Sequence, residues 1–180
     1  MAPLDLDRER ILRFLEAASR RLSGEWLLVG GAAAALWFSE ERVTEDIDLV
    51  GLAGTPEERL RLMEFAAAEG LPVEAVNSAA DFFLRRIEGW RDHIEPLLRG
   101  PSATIHRPDA TLFLLLKCSR LSEIDLGDCL ALLDFVRAEA LALDRGRVLR
   151  TLVSLPETDD EALRLRRARL QAALEGRGES

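Results

Sequence analysis

Lysine is nearly missing from this chain: of its 24 basic residues only Lys117 is a lysine, and the rest are arginines. Tyrosine is absent, and cysteine occurs only as Cys118 and Cys129. Two cysteines in apolar, helix-like sequence do not make a disulfide framework. Buried thiols in a reducing cytoplasm are the simpler expectation. No apolar run approaches the ~20 residues that a membrane-spanning helix needs. The opening residues are charged and lack the apolar stretch of a secretory signal. The expected setting is therefore cytoplasmic, with no membrane partner. Positive charge is in deficit too: the net charge is −8. That argues against broad, non-specific binding to nucleic acid, which needs a positive surface. The abundant arginines still allow a local basic cleft.

What is present suits a globular chain. Its 180 residues are 48% hydrophobic, enough for one domain, or one domain with a helical appendage. Residues 7–22 place Ile11, Leu15, Ala18 and Leu22 on one helical face, with Gly24 fitting a C-cap. Residues 26–29 (WLLV) read as a short buried strand, ended by Gly30-Gly31. Residues 32–37 are strongly helix-forming. Residues 46–50 (DIDLV) alternate like a strand with one buried face. Residues 56–69 form a helix with Pro56 in its first turn and Gly70 beyond its end. Residues 72–76 read as a strand.

Between 81 and 107 the pattern suggests a strand at 82–84, a short helix at 90–98 and a strand at 103–105. From Pro108 onward helices are expected at 109–121, 126–141, 144–153 and 159–175. The predicted class is α+β. A small mixed sheet flanked by helices fills residues 1–107, and a C-terminal helical bundle, residues 108–180, packs on that core as one compact unit.

The chemistry-bearing residues lie early in the chain. Side chains two apart on a strand point the same way, so Asp46 and Asp48 share a face while Ile47 and Leu49 point to the core. Two close carboxylates repel unless a cation lies between them. Mg²⁺ takes one or two carboxylates together with phosphate oxygens and water. A strand, two glycines and a helix make a turn whose backbone can approach a phosphate, with free N–H groups at the helix start. Alone, a Gly-Gly turn also serves as a tight strand-to-helix connection, and an Asp-x-Asp also occurs at exposed strand ends. The combination is what points to metal-assisted phosphoryl or nucleotidyl transfer.

The stretch LLVGGAAAALWFSEERVTEDIDLV, residues 27–50, resembles the signature of the DNA-polymerase-β-type nucleotidyltransferase superfamily. That signature is an apolar residue, Gly-Gly or Gly-Ser, a spacer, then Asp-apolar-Asp/Glu-apolar. The spacer here is slightly long. Arg42 and Thr44 resemble a subgroup of small bacterial nucleotidyltransferase-like proteins that includes toxin–antitoxin and abortive-infection nucleotidyltransferases. Residues 72–92 and 107–133 look similar to the same subgroup, so the resemblance covers most of residues 25–135.

The resemblance implies roles. Gly30, Gly31, Arg42 and Thr44 would contact a nucleoside triphosphate. Asp46 and Asp48 would bind Mg²⁺ or Mn²⁺. Glu74, mid-strand in the next β segment, is the candidate third carboxylate; it also reads as an exposed strand residue. Lys117 would contact phosphate and face the same cleft as Asp46 and Asp48. A compact ammonium is not interchangeable with a guanidinium at a tight site, and this chain uses arginine everywhere else. Asp125 or Asp128 could pair with Lys117 or Arg120, and Asp125 equally reads as a helix N-cap.

Arg85-Arg86 could flank the cleft, and the arginines from Arg164 to Arg169 read as a solvated helix face. His93 and His106 lack zinc-site spacing. Trp26, Trp37 and Trp90 read as core anchors. The implied activity is transfer of a nucleoside monophosphate to an acceptor: a tRNA end, a protein side chain or a small molecule. A cognate antitoxin or regulator is the implied partner. The alternative is a catalytically inactive binding or regulatory protein of the same fold.

Overall fold

The computed structural model describes residues 5–72 and 75–176. It is an α+β protein that divides into two compact units, Met1–Asp109 and Ala110–Ser180. Among the described residues no helix is long and apolar enough to cross a membrane.

The first unit is built on a five-stranded mixed sheet of order β3-β2-β1-β5-β4. Its strands are β1 (Gly24–Val29), β2 (Ile47–Gly51), β3 (Val76–Asn77), β4 (Ile94–Arg99) and β5 (Ala103–Pro108). β1 is central because four successive residues, Trp26 to Val29, are buried. It runs antiparallel to β2 and parallel to β5. β3 adds to β2 in parallel and β4 to β5 antiparallel.

Three helices of the first unit cover parts of this sheet. α1 (Arg8–Arg21) buries Ile11, Phe14, Leu15 and Ala18, the stripe its 3.6-residue period dictates. It packs on β4, β5 and α2. α2 (Gly30–Trp37) packs on β1 and β2. α3 (Pro56–Ala68) packs on β2 and β3 and starts with a capping box between Thr55 and Glu58. Phe14 of α1 and Phe65 of α3 meet with ring centroids 5.1 Å apart.

Several elements depart from the sequence reading. Phe82 to Leu84 lie in a single helical turn, α4 (Asp81–Leu84), not a strand. Only Leu84 of that apolar run is buried; the segment closes on itself instead, with Leu84 N–H on the Ala80 carbonyl and Arg85 N–H on that of Asp81. Residues 90–98 are not a helix. A 3₁₀ turn, Trp90–His93, leads into edge strand β4. Pro96 explains this, since proline breaks a helix interior but is tolerated at a sheet edge, and the β4–β5 register shifts beside it. Gly24 is not a helix cap; Leu22 is, and Gly24 opens β1 with φ +86°. β3 begins only at Val76, and residues 73 and 74 of the expected strand lie outside the described residues. Trp26 and Trp90 are buried as expected of core anchors. Trp37 is half-buried instead, with the Arg107 guanidinium 3.9 Å from its ring centre.

The second unit holds α5 (Ala110–Cys118), α6 (Glu123–Ala138), α7 (Arg145–Ser154) and α8 (Glu161–Leu174). α5 packs on α6 and α7, and α8 packs on the same two helices. α5 is buried nearly all round, as its apolar sequence demands. The arginines of α8 are more than a solvated face: Arg166 donates to the Leu121 carbonyl and Arg167 to that of Pro156.

Candidate functional site

Strand β1 ends at Val29, and the chain turns at once into α2. The turn needs φ +68° at Gly30, a left-handed conformation in which glycine carries no steric penalty. The two glycines therefore open the helix rather than precede it. In the antiparallel register Val29 lies opposite Asp48, so the turn lies against that carboxylate. A Cβ placed on Gly30 would stand 2.8 Å from Asp48 Oδ2. A Cβ on Gly31 would stand 2.8 Å from Thr44 Oγ1 and 3.1 Å from an Arg42 guanidinium nitrogen. The fold thus gathers Gly30, Gly31, Arg42, Thr44 and Asp48 with no room for a larger residue at either glycine.

Asp46 belongs to the same group. It sits one residue before β2 rather than within it, and the buried Thr44 hydroxyl donates to its Oδ1 at 3.2 Å. Both aspartates are half-buried. Arg42 also donates to the Val43 carbonyl.

The loop bearing Arg42 and Thr44 is fixed from outside. Leu6 and Thr44 form an antiparallel bridge, with N–H···O distances of 2.8 and 3.1 Å. Two residues on, Arg8 donates to the carbonyls of Ala35 and Leu36 at the end of α2, satisfying acceptors that a helix C-terminus leaves open. The sequence reading does not single out Leu6 or Arg8, because nothing in their local pattern announces a contact 27 or more residues away.

The start of α2 has no competitor for an incoming anion in its own sequence. Its N-cap, Val29, has no side-chain acceptor, and its first turn holds no acidic residue. A helix start of this kind carries partial positive charge and free N–H groups. Two carboxylates beside a hydroxyl form an all-oxygen donor set, which suits a hard divalent cation that completes its shell with water and phosphate. Among the described residues no group of three or more His, Cys, Asp or Glu side chains is placed to hold a metal ion. Glu74, the expected third carboxylate, lies outside the described residues. The residue in register with Asp48 on β3 is Asn77.

Lys117 lies in the second unit, on α5, and is buried. Its ammonium donates to Asp125 Oδ1 at 2.7 Å and Asp128 Oδ2 at 3.1 Å. Asp125 also accepts from Arg120 Nε at 2.9 Å and from the Ser122 backbone N–H and hydroxyl at 3.0 and 2.8 Å. The N-cap of α6 is Ser122, and Asp125 is the third helical residue of its capping box. Burial pushes the Asp125 carboxyl up, but the hydrogen bonds from Arg120, Lys117 and Ser122 outweigh it and hold the group well below the ordinary range. Asp125 is thus the ion-pair partner of Lys117 and Arg120 but not the N-cap, which is Ser122; Asp125 reaches back to that cap from the first turn.

The two histidines are each tied to a carboxylate: His93 Nδ1 lies 2.7 Å from Asp109 Oδ2, and His106 Nε2 3.2 Å from Glu25 Oε1.

Comparison with known proteins gives no matching family model, no matching curated protein and no matching solved structure.

Proposed function

We propose that this chain is a nucleotidyltransferase of the DNA-polymerase-β-like fold, which transfers a nucleoside monophosphate from a nucleoside triphosphate to an acceptor. The observation that carries the reading is the packing of Asp48 Oδ2 against Gly30, 2.8 Å from where a Cβ would be. It puts a carboxylate directly beside a left-handed glycine turn that opens a helix, and this is the pairing that the resemblance of residues 27–50 implies. The triphosphate would lie on the N–H groups of Gly30 and Gly31 at the start of α2. Arg42, whose guanidinium stands over Gly31, would add charge-assisted hydrogen bonds to the same phosphates. Asp46 and Asp48 would hold Mg²⁺ or Mn²⁺, which when bound supplies positive charge to the phosphoryl oxygens. Thr44 would keep Asp46 oriented through its hydroxyl. Glu74 remains the proposed third carboxylate. By the resemblance, the protein would act in a bacterial cytoplasm, as the toxin of a toxin–antitoxin pair, on a tRNA, a protein or a small molecule.

One observation favours the second reading, a catalytically inactive protein of this fold that binds or regulates. The ammonium of Lys117, expected to contact phosphate, has Asp125 and Asp128 as partners within its own unit. Its burial is explained by those partners without a nucleotide.

The test is incubation of the protein with labelled nucleoside triphosphates, Mg²⁺ and cell extract, beside Asp48→Ala. Label on an acceptor with the native chain and none with the variant is expected. Triphosphate binding without label transfer would favour the second reading. Absence of both label transfer and calorimetric triphosphate binding would refute the proposal.

A further inference from the structure

A second cluster, distinct from the glycine turn, lies where α3 and α4 approach the sheet edge. Arg59, Ser78, Ala79, Asp81, Phe82, Arg85 and Arg86 line an open pocket of ≈ 490 Å³. That is a size typical of small-ligand pockets. Its lining carries three guanidinium groups and one carboxylate, on a chain whose net charge is −8. The positive charge here is therefore local.

The arginines are not equivalent. Arg85 is committed to the fold: its Nε lies 2.7 Å from Asp81 Oδ1, its Nη2 donates to the Gly51 carbonyl, and it lies over Trp90. Arg59 approaches Asp81 more loosely, at 3.8 Å, and is half exposed. Arg86 is exposed and, among the described residues, has no carboxylate partner. Its guanidinium lies 3.8 Å from the centre of the Phe82 ring. Phe82 is 57% exposed and Phe83, edge-on to it, 49%. Two adjacent exposed phenylalanines on one helical turn are costly to leave in water, and an unpaired cation laid across one of them is a preformed flat surface beside positive charge.

We infer that this pocket binds a nucleoside phosphate, with the phosphate on Arg59 and Arg86 and the base stacked against the Phe82–Arg86 pair. A planar ring joined to an anion uses both halves of the site. An acidic peptide would use the charges and leave the flat surface bare, and an extended polyanion would meet the acidic remainder of the chain.

The position suits an acceptor. Asn77 is in register with Asp48, and the lining begins at the next residue, Ser78. Arg85 grips Gly51, three residues along β2 from Asp48, a span of about 10 Å at the rise of a strand. Its assignment to the acceptor rests on the transferase reading above; nucleoside phosphate binding does not.

The experiment is calorimetric titration of the full chain in EDTA, with no divalent metal. The probes are adenosine 5′-monophosphate, a short oligo(A), inorganic phosphate and a short oligoglutamate. Binding of the monophosphate is expected, roughly 5- to 140-fold weaker in Phe82→Ala, as loss of one base–aromatic stack implies. A comparable loss is expected in Arg86→Ala, and none in Asp48→Asn. Oligo(A) binding more tightly than the monophosphate identifies a strand end as the ligand; equal affinity identifies a free nucleotide. Inorganic phosphate binding as well as the monophosphate, oligoglutamate binding in preference to it, indifference to both substitutions, or no binding at all would each overturn the inference. If Asp48→Asn abolishes label transfer while monophosphate binding is lost only in the Phe82 and Arg86 variants, the two sites are independent.

Discussion

Gly30→Ala tests the contact on which the candidate site rests. Two costs are expected. The first is backbone strain: at φ +68° a Cβ meets its own carbonyl, which costs about 1–2 kcal/mol. The second is local. The new methyl would stand 2.8 Å from Asp48 Oδ2, closer than carbon and oxygen tolerate, so the carboxylate must move. Its displacement is expected to add about 1 kcal/mol, the lower range for overpacking. Gly31→Ala should be milder. Gly31 does not have a positive φ, so the backbone cost is absent and only the contacts with Thr44 Oγ1, at 2.8 Å, and with the flexible end of Arg42 oppose the methyl.

Urea unfolding of Gly30→Ala, Asp48→Ala and the double variant closes a cycle. Removing the Asp48 carboxylate should recover the contact cost and leave the φ cost, giving a coupling of at least ~0.5 kcal/mol. Mg²⁺ titration followed by calorimetry should show weaker binding in Gly30→Ala than in Gly31→Ala. A cycle with no coupling, or a Gly30→Ala variant as stable as the native chain, would refute the packing of the glycine turn on Asp48.

Other predictions concern the second unit. The Asp125 carboxyl has a lower pKa folded than unfolded. Its stabilisation is therefore fully present above the unfolded value of about 4 and is lost as the pH falls from there toward the folded pKa. Asp125→Asn should flatten the stability profile below about pH 4 and, by weakening the charged hydrogen bonds to Lys117 and Arg120 while Asp128 still pairs Lys117, destabilise at neutral pH by about 1.5–3 kcal/mol; urea midpoints across pH check both. Ala140 is exposed and holds φ +50° just past the end of α6, where Leu141 N–H bonds the Val136 carbonyl. Ala140→Gly should stabilise by about 1 kcal/mol, read as a rise in Tm. Burial raises the thiol pKa of Cys118 to about 11 and raises that of Cys129 further. Ellman's reagent at pH 8 should leave both unreacted in the native protein and label both in guanidinium; rapid native labelling would contradict their burial.

The elements that local periodicity controls were legible in the sequence. The stripe of Ile11, Leu15 and Ala18 defines α1, and the run from Trp26 to Val29 defines the central strand. The Phe82–Phe83 pair is ambiguous because an apolar run of a few residues has no period to separate strand from helix. For residues 94–99 the local sign against a helix interior is Pro96, and the edge of β5 supplies the strand's partner. Within the site, Gly30, Gly31, Arg42, Thr44, Asp46 and Asp48 could be named from spacing and resemblance. The clamp on them could not: Leu6 pairs with Thr44 and Arg8 with Ala35 only because the chain folds back. Lys117 stood out by composition, yet composition carries no direction. Its carboxylate partners lie 8 and 11 residues ahead on the next helix.

The Leu6–Thr44 bridge has a practical side. A stretch of three residues, Leu6 to Arg8, holds the loop of Thr44 at one end and the close of α2 at the other. A purification tag fused close to the amino terminus therefore pulls on the same backbone that sets the spacing between Gly31 and Thr44. Preparations tagged at opposite ends of the chain should be compared before any weak activity is ascribed to the native chain, because the fusion end is itself a variable of the candidate site.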